Sequence, residues 1–350
     1  MGVSLKDIAG RAGVSLATVS NVVNGYRPVG EQTRRRVQQA IDELGYAPNL
    51  GARHLRRGRT GIVALAVPEL TNPYFAELAS AAIGEAAGLG YTLVMEDTAA
   101  DRDRELTLVH GARGQIIDGL VLSPVRIGRA DVLARTSDTP LVLIGEGVYD
   151  VPHDHIAIDN IAASHAAVRH LVSLGRRRIA FIGARGGDAG TDQRQAVHRQ
   201  SAQLRLRGYV EALTDVGLPA DPALIAATAQ FGRSDGLLAM RRLLALAEPP
   251  DAVFAYNDLI AIGAMRAVGE AALRIPEDIA VIGFDDIEEG RFWAPTLTTI
   301  SPDKEHIGRL AVRALVARIE GRPVSPPYDV QPPFRLVPRE STLGGRRPIT

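Results

Sequence analysis

Apolar residues recur at helical spacing in two short runs near the N-terminus, and a glycine separates the runs. The first run covers residues 5–12 and the second residues 14–23. Gly13 can adopt a positive φ without steric cost, so one helix can end there and another begin at a steep angle. Ser15 occupies the N-cap position of the second helix. The pattern predicts a DNA-reading helix-turn-helix, and the alternative is an ordinary corner between two helices.

A third helix is predicted over residues 31–44, where apolar positions again form one stripe and the arginines 34–36 lie near the start. The segment 45–48 (Gly-Tyr-Ala-Pro) ends this helix. Three such helices make a small headpiece whose core is marginal by itself. The basic segment 49–59 is a short helix candidate, too short to be stable in isolation.

From Thr60 onward, apolar strand candidates alternate with helix candidates. Continuous apolar strands in βα alternation indicate parallel sheets covered on both faces, and eight or more such units exceed one compact sheet. We therefore expect two Rossmann-like lobes with a ligand in the crevice at the strand C-termini. Strands are predicted at 61–67, 91–96, 119–122, 141–144, 156–158, 178–182, 252–255, 279–284 and 297–300. Helices are predicted at 72–89, 101–113, 130–136, 162–174, 203–216, 235–247, 259–268 and 304–320.

Charge is distributed unevenly along the chain. The 350 residues have a formal net charge of zero, yet residues 1–60 hold ten Lys/Arg and four Asp/Glu, a balance of +6. A basic N-terminal module on an acidic body predicts a polyanionic partner for the module alone. Cysteine is absent, and neither an N-terminal apolar segment nor an 18-residue apolar run occurs, so we expect a cytoplasmic, nucleoid-associated protein without disulfides.

Motifs of other functional classes are weak. The glycine-rich turn at residues 183–190 does not match G-x-G-x-x-G, so an NAD-dependent enzyme is a remote alternative, and neither G-x-S-x-G nor a P-loop occurs. The run 153–155 (His-Asp-His) is interpreted as a surface loop because no second ligand cluster accompanies it. A periplasmic binding protein would require a signal peptide and would lack the basic headpiece. No metal, cofactor or catalytic residue is therefore expected.

Several spaced motifs occur in a characteristic order from Ser4 to about Thr342. In the headpiece they are LKDIA (5–9), AGVS (12–15), TVS (18–20), VN (23–24), TR (33–34), Val37, GYAPN (45–49), AR (52–53) and Leu55. In the body they are NPYF (72–75), DGL (118–120), IDN (158–160), RLRGY (205–209), ND (257–258), IGFDD (282–286) and LTTI (297–300). Together they resemble the LacI/GalR family of bacterial transcription regulators.

The resemblance implies an all-α helix-turn-helix headpiece followed by an α/β two-lobed effector domain like that of periplasmic binding proteins. The headpiece would cover residues 1–48, the hinge 49–59, the effector and dimerisation domain 60–342, and a tail 343–350. The first lobe would comprise about 60–160 and 293–322, and the second 161–292 and 323–342. The protein would bind a pseudo-palindromic double-stranded DNA operator as a homodimer, since the tail lacks the apolar heptads of a tetramerising coiled coil.

The second helix would enter the major groove, with Ser20 on its base-facing half. Leu16, Ala17 and Asn21 are expected to set sequence specificity. The residues expected to position phosphates are Ser15, Thr18, Asn24 and Tyr46. Leu55 matches the family's leucine that wedges into the minor groove from the hinge helix, and Gly51 departs from the usual alanine in that helix.

A small effector, expected to be a sugar, would lie between the lobes and control operator binding, by default as the inducer of a repressor. Its candidate contacts are Asn72, Tyr74, Phe75 and Ser123 from the first lobe and Arg205, Phe231, Asn257 and Asp285 from the second. Arg, Asn and Asp can make paired hydrogen bonds to vicinal hydroxyls, and Tyr74 and Phe231 can cover an apolar sugar face.

Three alternatives to this effector site stay open. Arg205 and Asp285 could form a structural ion pair, and the effector could be a nucleoside, a purine or another non-sugar metabolite. The segment 145–147 (Gly-Glu-Gly) departs from the family's acid-plus-arginine pair, which leaves a ligand contact there undecided, and the polar loop 186–200 receives no role.

Overall fold

The computed structural model describes residues 3–24, 28–46, 59–111, 116–184, 199–322 and 329–344, and it divides the chain into two compact units, Met1–Gly61 and Ile62–Thr350. Within those described residues, no helix is both long and apolar enough to cross a membrane. The predicted hinge, 49–59, and tail lie almost wholly outside them.

The first unit contains three helices, α1 (Leu5–Ala12), α2 (Leu16–Asn24) and α3 (Glu31–Leu44). A capping box starts α1, where Ser4 and Asp7 bond each other's backbone N–H groups. Gly13 ends α1 at φ 63°, as the turn requires. The side chains of Ile8, Val19 and Val37, one from each helix, are fully buried together. The small core predicted from the apolar stripes is therefore present.

The second unit begins with a six-stranded sheet in which every strand pair is parallel. Its strand order is β11-β5-β4-β3-β1-β2. The strands are β1 (Ile62–Val67), β2 (Thr92–Asp97), β3 (Gly119–Leu122), β4 (Leu141–Ile144), β5 (Asp154–Ile156) and β11 (Asp329–Val330). The helices associated with this first lobe are α4 (Pro73–Gly88), α5 (Arg102–Val109), α6 (Arg129–Leu133) and α12 (Lys304–Ile319).

A second six-stranded sheet has the order β12-β10-β9-β8-β6-β7, and only its edge strand β12 is antiparallel. The strands are β6 (Ile179–Ala184), β7 (Ile225–Ala227), β8 (Ala252–Ala255), β9 (Ala280–Phe284), β10 (Thr298–Pro302) and β12 (Phe334–Val337). The helices of this second lobe are α7 (Asn160–Ser173), α8 (Arg199–Asp215), α9 (Arg233–Leu244), α10 (Asp258–Glu270), α11 (Glu288–Phe292) and α13 (Glu340–Leu343). The predicted two-lobed α/β fold is confirmed.

Three crossings connect the lobes, and two of them differ from the predicted boundaries. The chain passes between sheets after β5, between β10 and α12, and between β11 and β12. Residues 293–302 had been assigned to the first lobe, but β10 pairs with β9 of the second sheet. Residues 329–330 had been assigned to the second lobe, but β11 pairs with β5 of the first sheet. Strands of two to five residues are too short for the apolar pattern to reveal their partners.

The interpretation of the His-Asp-His run as a surface loop is wrong. Asp154 and His155 form the start of β5 and are buried at 1% and 4% exposure. Two oxygens of Asp154 accept from the guanidinium of Arg318 at 2.7 and 2.9 Å. No strand was predicted at Asp154 and His155 because polar residues are buried only where they are paired, and local sequence does not show these tertiary partners.

Candidate functional sites

A cavity of about 100 Å³ lies between the lobes, where strands of both sheets end. Seven of the eight predicted effector contacts line it, namely Asn72, Tyr74, Phe75, Ser123, Arg205, Asn257 and Asp285. Its wall also includes polar residues that were not among the predicted contacts: Glu146, Gln200, Ser201 and Tyr256. The apolar and polar residue types that a sugar requires are thus gathered around one space between the lobes.

Arg205, on α8, is the only cationic residue lining this cavity among the described residues, and it is 7% exposed. Its Nε donates to Oδ1 of Asn160 at 2.7 Å, and its Nη1 donates to the backbone carbonyl of Tyr256. The guanidinium carbon lies 3.4 Å from the ring centroid of Phe284. These contacts fix the plane of the guanidinium, so its position does not depend on a ligand.

Asp285 faces Arg205 without forming a close ion pair. The nearest approach, from Nη2 of Arg205 to Oδ1 of Asp285, is 3.9 Å. Burial raises the pKa of Asp285 to about 6, although the positive charges of Arg205 and Lys304 lower it. The separation weakens the interpretation of the two residues as a structural pair, because a bidentate salt bridge would bring these atoms within about 2.7–2.9 Å.

The turn that carries Asp285 has an unusual backbone. Asp285 and the next residue, Asp286, have φ angles of 112° and 51°, in the left-handed region that non-glycine residues seldom adopt. Ser301 Oγ donates to the Asp286 carboxylate at 2.9 Å, and Arg339 also bonds it. Such a conformation persists where the surroundings enforce it, and it is typical of binding sites.

A second buried carboxylate supports the same turn from α10. The backbone N–H of Ile287 and the hydroxyl of Thr299 donate to Asp258 at 2.9 and 2.7 Å. Burial, with the nearby charge of Asp285, raises the pKa of Asp258 well above its usual value. Asp258 therefore positions the turn and does not face the ligand space.

Two predicted contacts, Asn72 and Asn257, also cap helices. The side-chain oxygen of Asn72 accepts from the N–H of Tyr74 at 3.1 Å, and that of Asn257 accepts from Ile260 at 2.9 Å. The amide nitrogen of Asn257 donates to the carbonyl of Phe231 at 3.0 Å. Their oxygens serve the helix N-termini, which leaves donor capacity on the amide nitrogens for a ligand.

The prediction that Phe231 covers a sugar face is not supported by the structure. Phe231 is absent from the cavity wall, and its ring packs against Tyr256 at a centroid distance of 4.2 Å. Tyr256 takes the position on the wall, and its hydroxyl is 2.8 Å from that of Ser201. Phe231 lies behind Tyr256 because its carbonyl is held by Asn257.

Aromatic rings form part of the apolar wall of the cavity, beside aliphatic residues such as Ile144 and Ile307. Tyr74 and Phe75 meet edge to face at 5.1 Å between ring centroids. Burial raises the pKa values of Tyr74 and Tyr256, and the charges of Asp285 and Glu146 raise them further. Both phenols are therefore neutral at physiological pH and can donate or accept a hydrogen bond.

Glu146 is the main polar residue on the wall for which the sequence does not predict whether it contacts a ligand. Its Oε1 accepts from the amide nitrogen of Asn160 at 2.6 Å, and Asn160 in turn accepts from Arg205. The flanking glycines at 145 and 147 were the available signal, since glycines on both sides of one acid indicate a constrained turn.

The headpiece exposes the residues expected to read DNA. Leu16 is 52% exposed, and Ser15 and Ala17 are exposed beside it at the start of α2. Ser15 Oγ accepts from the N–H of Thr18 at 3.1 Å, which caps the helix as predicted. Asn21 is half-buried one turn further on. An exposed leucine at a helix N-terminus has no packing role inside the headpiece.

The remaining headpiece candidates divide into two groups. Ser20 is half-buried, and Tyr46 packs against the headpiece core while remaining partly exposed. The side chain of Asn24, together with Leu55 of the predicted hinge helix, lies outside the described residues.

Arg36 donates to the carbonyl of Gly13 at 3.2 Å, so one of the three consecutive arginines supports the turn between α1 and α2.

In the described part of the chain, no three His, Asp or Glu side chains are grouped as metal ligands would be.

A two-lobed domain with a polar cavity between its lobes, joined to a helix-turn-helix headpiece, defines a ligand-responsive DNA-binding regulator.

Comparison with known proteins agrees with this class. The family described as "Bacterial regulatory proteins, lacI family" matches residues 4–49, and the family described as "Periplasmic binding protein-like domain" matches residues 168–342. The HTH-type transcriptional repressor CytR of Escherichia coli (strain K12) is 34% identical over 322 residues, which are 92% of this chain and 91% of that protein. The Ribose operon repressor of the same organism is 34% identical over 318 residues, or 90% and 93%.

Solved structures show the same relationship. The Lac repressor dimer bound to operator and the anti-inducer ONPF has a TM-score of 0.77 and 29% identity, with 98% of this chain and 99% of that chain covered. The transcriptional regulator CelR–cellobiose complex has a TM-score of 0.69 and 33% identity, with 97% and 99% covered. The chain belongs to the LacI family of bacterial transcription regulators. This family consists of operator-binding regulators, so the alternative of an NAD-dependent enzyme is wrong.

Proposed function

We propose that this protein is a repressor whose affinity for its operator is controlled by a small sugar bound between the lobes. The observation that carries the proposal is the arrangement around Arg205. Its guanidinium is fixed by Asn160 and Tyr256 and faces Asp285 across 3.9 Å, at one side of a cavity that Tyr74 and Phe75 line with aromatic rings. At this separation a ligand hydroxyl on the cavity side can accept from the guanidinium and donate to the carboxylate.

Sugar chemistry matches this cavity. Vicinal hydroxyls can donate to the carboxylate of Asp285 and accept from the guanidinium of Arg205, while C–H faces of a pyranose or furanose pack on aromatic rings. We take a monosaccharide as the first candidate, because the cavity is small, at about 100 Å³. Two similar proteins bear on this class, a repressor named for the ribose operon and a regulator solved with cellobiose.

The DNA side of the proposal rests on α2. Leu16 and Ala17 would pack on thymine methyl groups in the major groove, and Asn21 would pair with adenine. Ser20 would lie on the base-facing half of the helix, and phosphates would be contacted by Ser15, Thr18, Asn24 and Tyr46. Leu55, on a hinge helix of residues 49–59, would enter the minor groove at the operator centre.

Two copies of the chain would bind the two halves of a pseudo-palindromic operator. The effector would act through its different affinities for two arrangements of the lobes, which is the only way a ligand shifts such an equilibrium. Binding would favour the arrangement with low operator affinity, as in an induced repressor. Linkage of this kind typically changes operator affinity by about 5- to 150-fold.

The proposal is tested in two steps with the full chain. Selection from a random DNA library identifies the operator, and a thermal-shift screen against monosaccharides, disaccharides and nucleosides identifies ligands, because a ligand that binds only the folded state raises its apparent stability. We expect a monosaccharide to give the largest shift and to weaken operator binding. A nucleoside as the sole ligand, or a bound sugar without effect on the operator, contradicts the proposal.

A further inference from the structure

The turn after β4 presents one charged side chain to the cavity, and the backbone on both sides of that residue requires glycine. Gly145 has φ +81°, in the region that disfavours side chains. A Cβ atom on Gly147 would lie 1.9 Å from the carbonyl oxygen of Pro124, so no larger residue fits without moving the backbone. Glu146, between these two glycines, lines the cavity. The sequence Gly-Glu-Gly therefore encodes a built turn that carries an acid into the ligand space.

His155 and the residues around it hold this turn in place. Nε2 of His155 lies 2.6 Å from the carbonyl oxygen of Gly145, and Nδ1 lies 3.0 Å from the carboxylate of Asp329 on the neighbouring strand β11. The ring of Tyr149 packs edge to face on His155 at 4.7 Å between centroids. The position of Glu146 is thus fixed through His155, whose own surroundings are polar and specific.

Glu146 is connected to the cation of the site across the two lobes. The carboxylate accepts from Asn160 at 2.6 Å, and Asn160 accepts from Nε of Arg205 at 2.7 Å. Because Asn160 relays the contact, the Glu146 carboxylate does not neutralise the guanidinium by direct pairing. Arg205 also faces Asp285, the other acid on the wall.

The cavity wall carries an excess of negative charge. Among the described lining residues, the ionisable acids are Glu146 and Asp285 and the base is Arg205, which gives one net negative charge. Burial is the main cause that raises the pKa of Asp285 to about 6, and the Glu146 charge raises it further, against the lowering effect of Arg205 and Lys304. An enclosed site of low polarisability strengthens such charge effects on a ligand.

We propose that Glu146 makes this cavity selective by charge, so that it accepts uncharged or cationic monosaccharides and rejects sugar acids and sugar phosphates. This inference rests on the proposed sugar-binding function of the cleft and names the class of sugar. An anionic ligand brings a third negative charge beside Glu146 and Asp285, and among the described residues Arg205 is the one cation that lines the cavity. An uncharged sugar needs no such compensation, and an ammonium group gains from the excess.

The test uses size-matched sugars and calorimetric titration of the full chain at pH 7.5. One series is D-glucose, D-glucosamine and D-glucuronate; a second is D-galactose, D-galactosamine and D-galacturonate; a third is D-ribose with D-ribose 5-phosphate. In any series that binds, we expect the anionic member to bind at least tenfold more weakly than the uncharged member. An anionic sugar that binds as tightly as its uncharged counterpart, or a panel without an uncharged or cationic ligand, overturns the proposal.

The variant Glu146→Gln separates charge from shape, because glutamine retains an oxygen that can accept from Asn160. We expect the affinity of the anionic sugar relative to that of the uncharged sugar to rise about tenfold over the wild-type ratio. Asp150→Asn, an exposed acid in the same loop, is the matched control and leaves all ratios unchanged. Unchanged ratios in Glu146→Gln contradict the inference.

Failure of this inference and failure of the proposed function give different results. An anionic sugar that binds and releases operator DNA sustains the repressor function and overturns charge selection by Glu146. An uncharged sugar that binds with the expected ratios but leaves operator affinity unchanged sustains charge selection and overturns the function.

Discussion

Lys304 and Glu77 form an ion pair at 2.8 Å inside the first lobe, and through this pair they hold a turn of the second lobe. The ammonium group of Lys304 also donates to the backbone carbonyls of Asp285 and Asp286. The other oxygen of Glu77 accepts from the N–H of Glu288, just after that turn, at 3.1 Å. The residue that faces the ligand is thus anchored by the opposite lobe.

Replacing Lys304 with methionine is expected to destabilise the protein. The variant leaves two backbone carbonyls and Glu77 without their donor, which is expected to cost about 1–3 kcal/mol of unfolding free energy. Denaturant unfolding measures the change. Arg309→Met on the same helix removes only an exposed pair with Glu305 and is expected to cost less than about 0.5 kcal/mol. Equal losses in both variants would show that the contact between lobes has no special weight.

Arg205→Ala is expected to abolish the response to effector, because it removes the guanidinium that would bind the ligand. Operator affinity in the absence of ligand is expected to stay within about threefold, because the substitution lies in the lobes and not in the headpiece. Calorimetry reports ligand binding, and fluorescence anisotropy reports DNA binding. Arg207→Ala is the control, since Arg207 is exposed on the same helix and pairs with Glu211. Ligand binding retained at full strength in Arg205→Ala would exclude the assigned role.

Effector affinity is expected to fall as the pH is lowered from 7.5 to 5. With a pKa of about 6, Asp285 is mostly ionised at the upper limit and mostly protonated at the lower one. If only the carboxylate binds, affinity at pH 5 is about tenfold lower, because about a tenth of the groups remain charged. The groups whose charges act on or beside Asp285 are Arg205 on α8, Lys304 on α12, Glu77 on α4, Asp258 on α10 and Glu146 after β4.

The variant Asp285→Asn tests whether ionisation of Asp285, and not that of another group, causes this pH dependence. The variant is expected to bind an uncharged sugar more weakly at pH 7.5, with an affinity that no longer changes between pH 5 and 7.5. A pH dependence that survives in Asp285→Asn would assign the effect to another group.

In the headpiece, Ser15→Ala and Leu16→Ala are expected to have different consequences. Loss of the Ser15 cap on Thr18 should cost about 1 kcal/mol of headpiece stability and weaken binding to all DNA sequences alike. Loss of the exposed Leu16 side chain leaves stability unchanged and alters which bases are preferred. Library selection with each variant measures the preference, and an unchanged preference in Leu16→Ala would remove that residue from base readout.

The sequence was sufficient to predict the two-lobed fold and the three headpiece helices, because apolar periodicity in long elements reflects which face is buried. The predicted third helix and the strands at 119–122, 141–144 and 252–255 agree with the structure residue for residue. The strands at 225–227, 329–330 and 334–337 were not predicted. They are short, and their partners lie far away in the chain, so no local pattern marks them.

The cavity was predicted less completely than the fold. Position-by-position resemblance identified seven of the lining residues, including Arg205 and Asp285. It misplaced Phe231 and left Glu146 undecided, because both depend on contacts between distant segments. The carbonyl of Phe231 is held by Asn257, and the Glu146 turn is held by His155. Such tertiary contacts decide which side chain faces the ligand, and the sequence pattern does not contain them.

The most direct test is an operator titration of the wild-type protein by fluorescence anisotropy, with and without a saturating monosaccharide from the thermal-shift screen, at fixed salt. We predict that the sugar weakens operator affinity by at least about fivefold and that Arg205→Ala removes this effect. Calorimetry that shows the sugar bound to the wild-type protein, with an operator affinity unchanged by it, would contradict the proposed function.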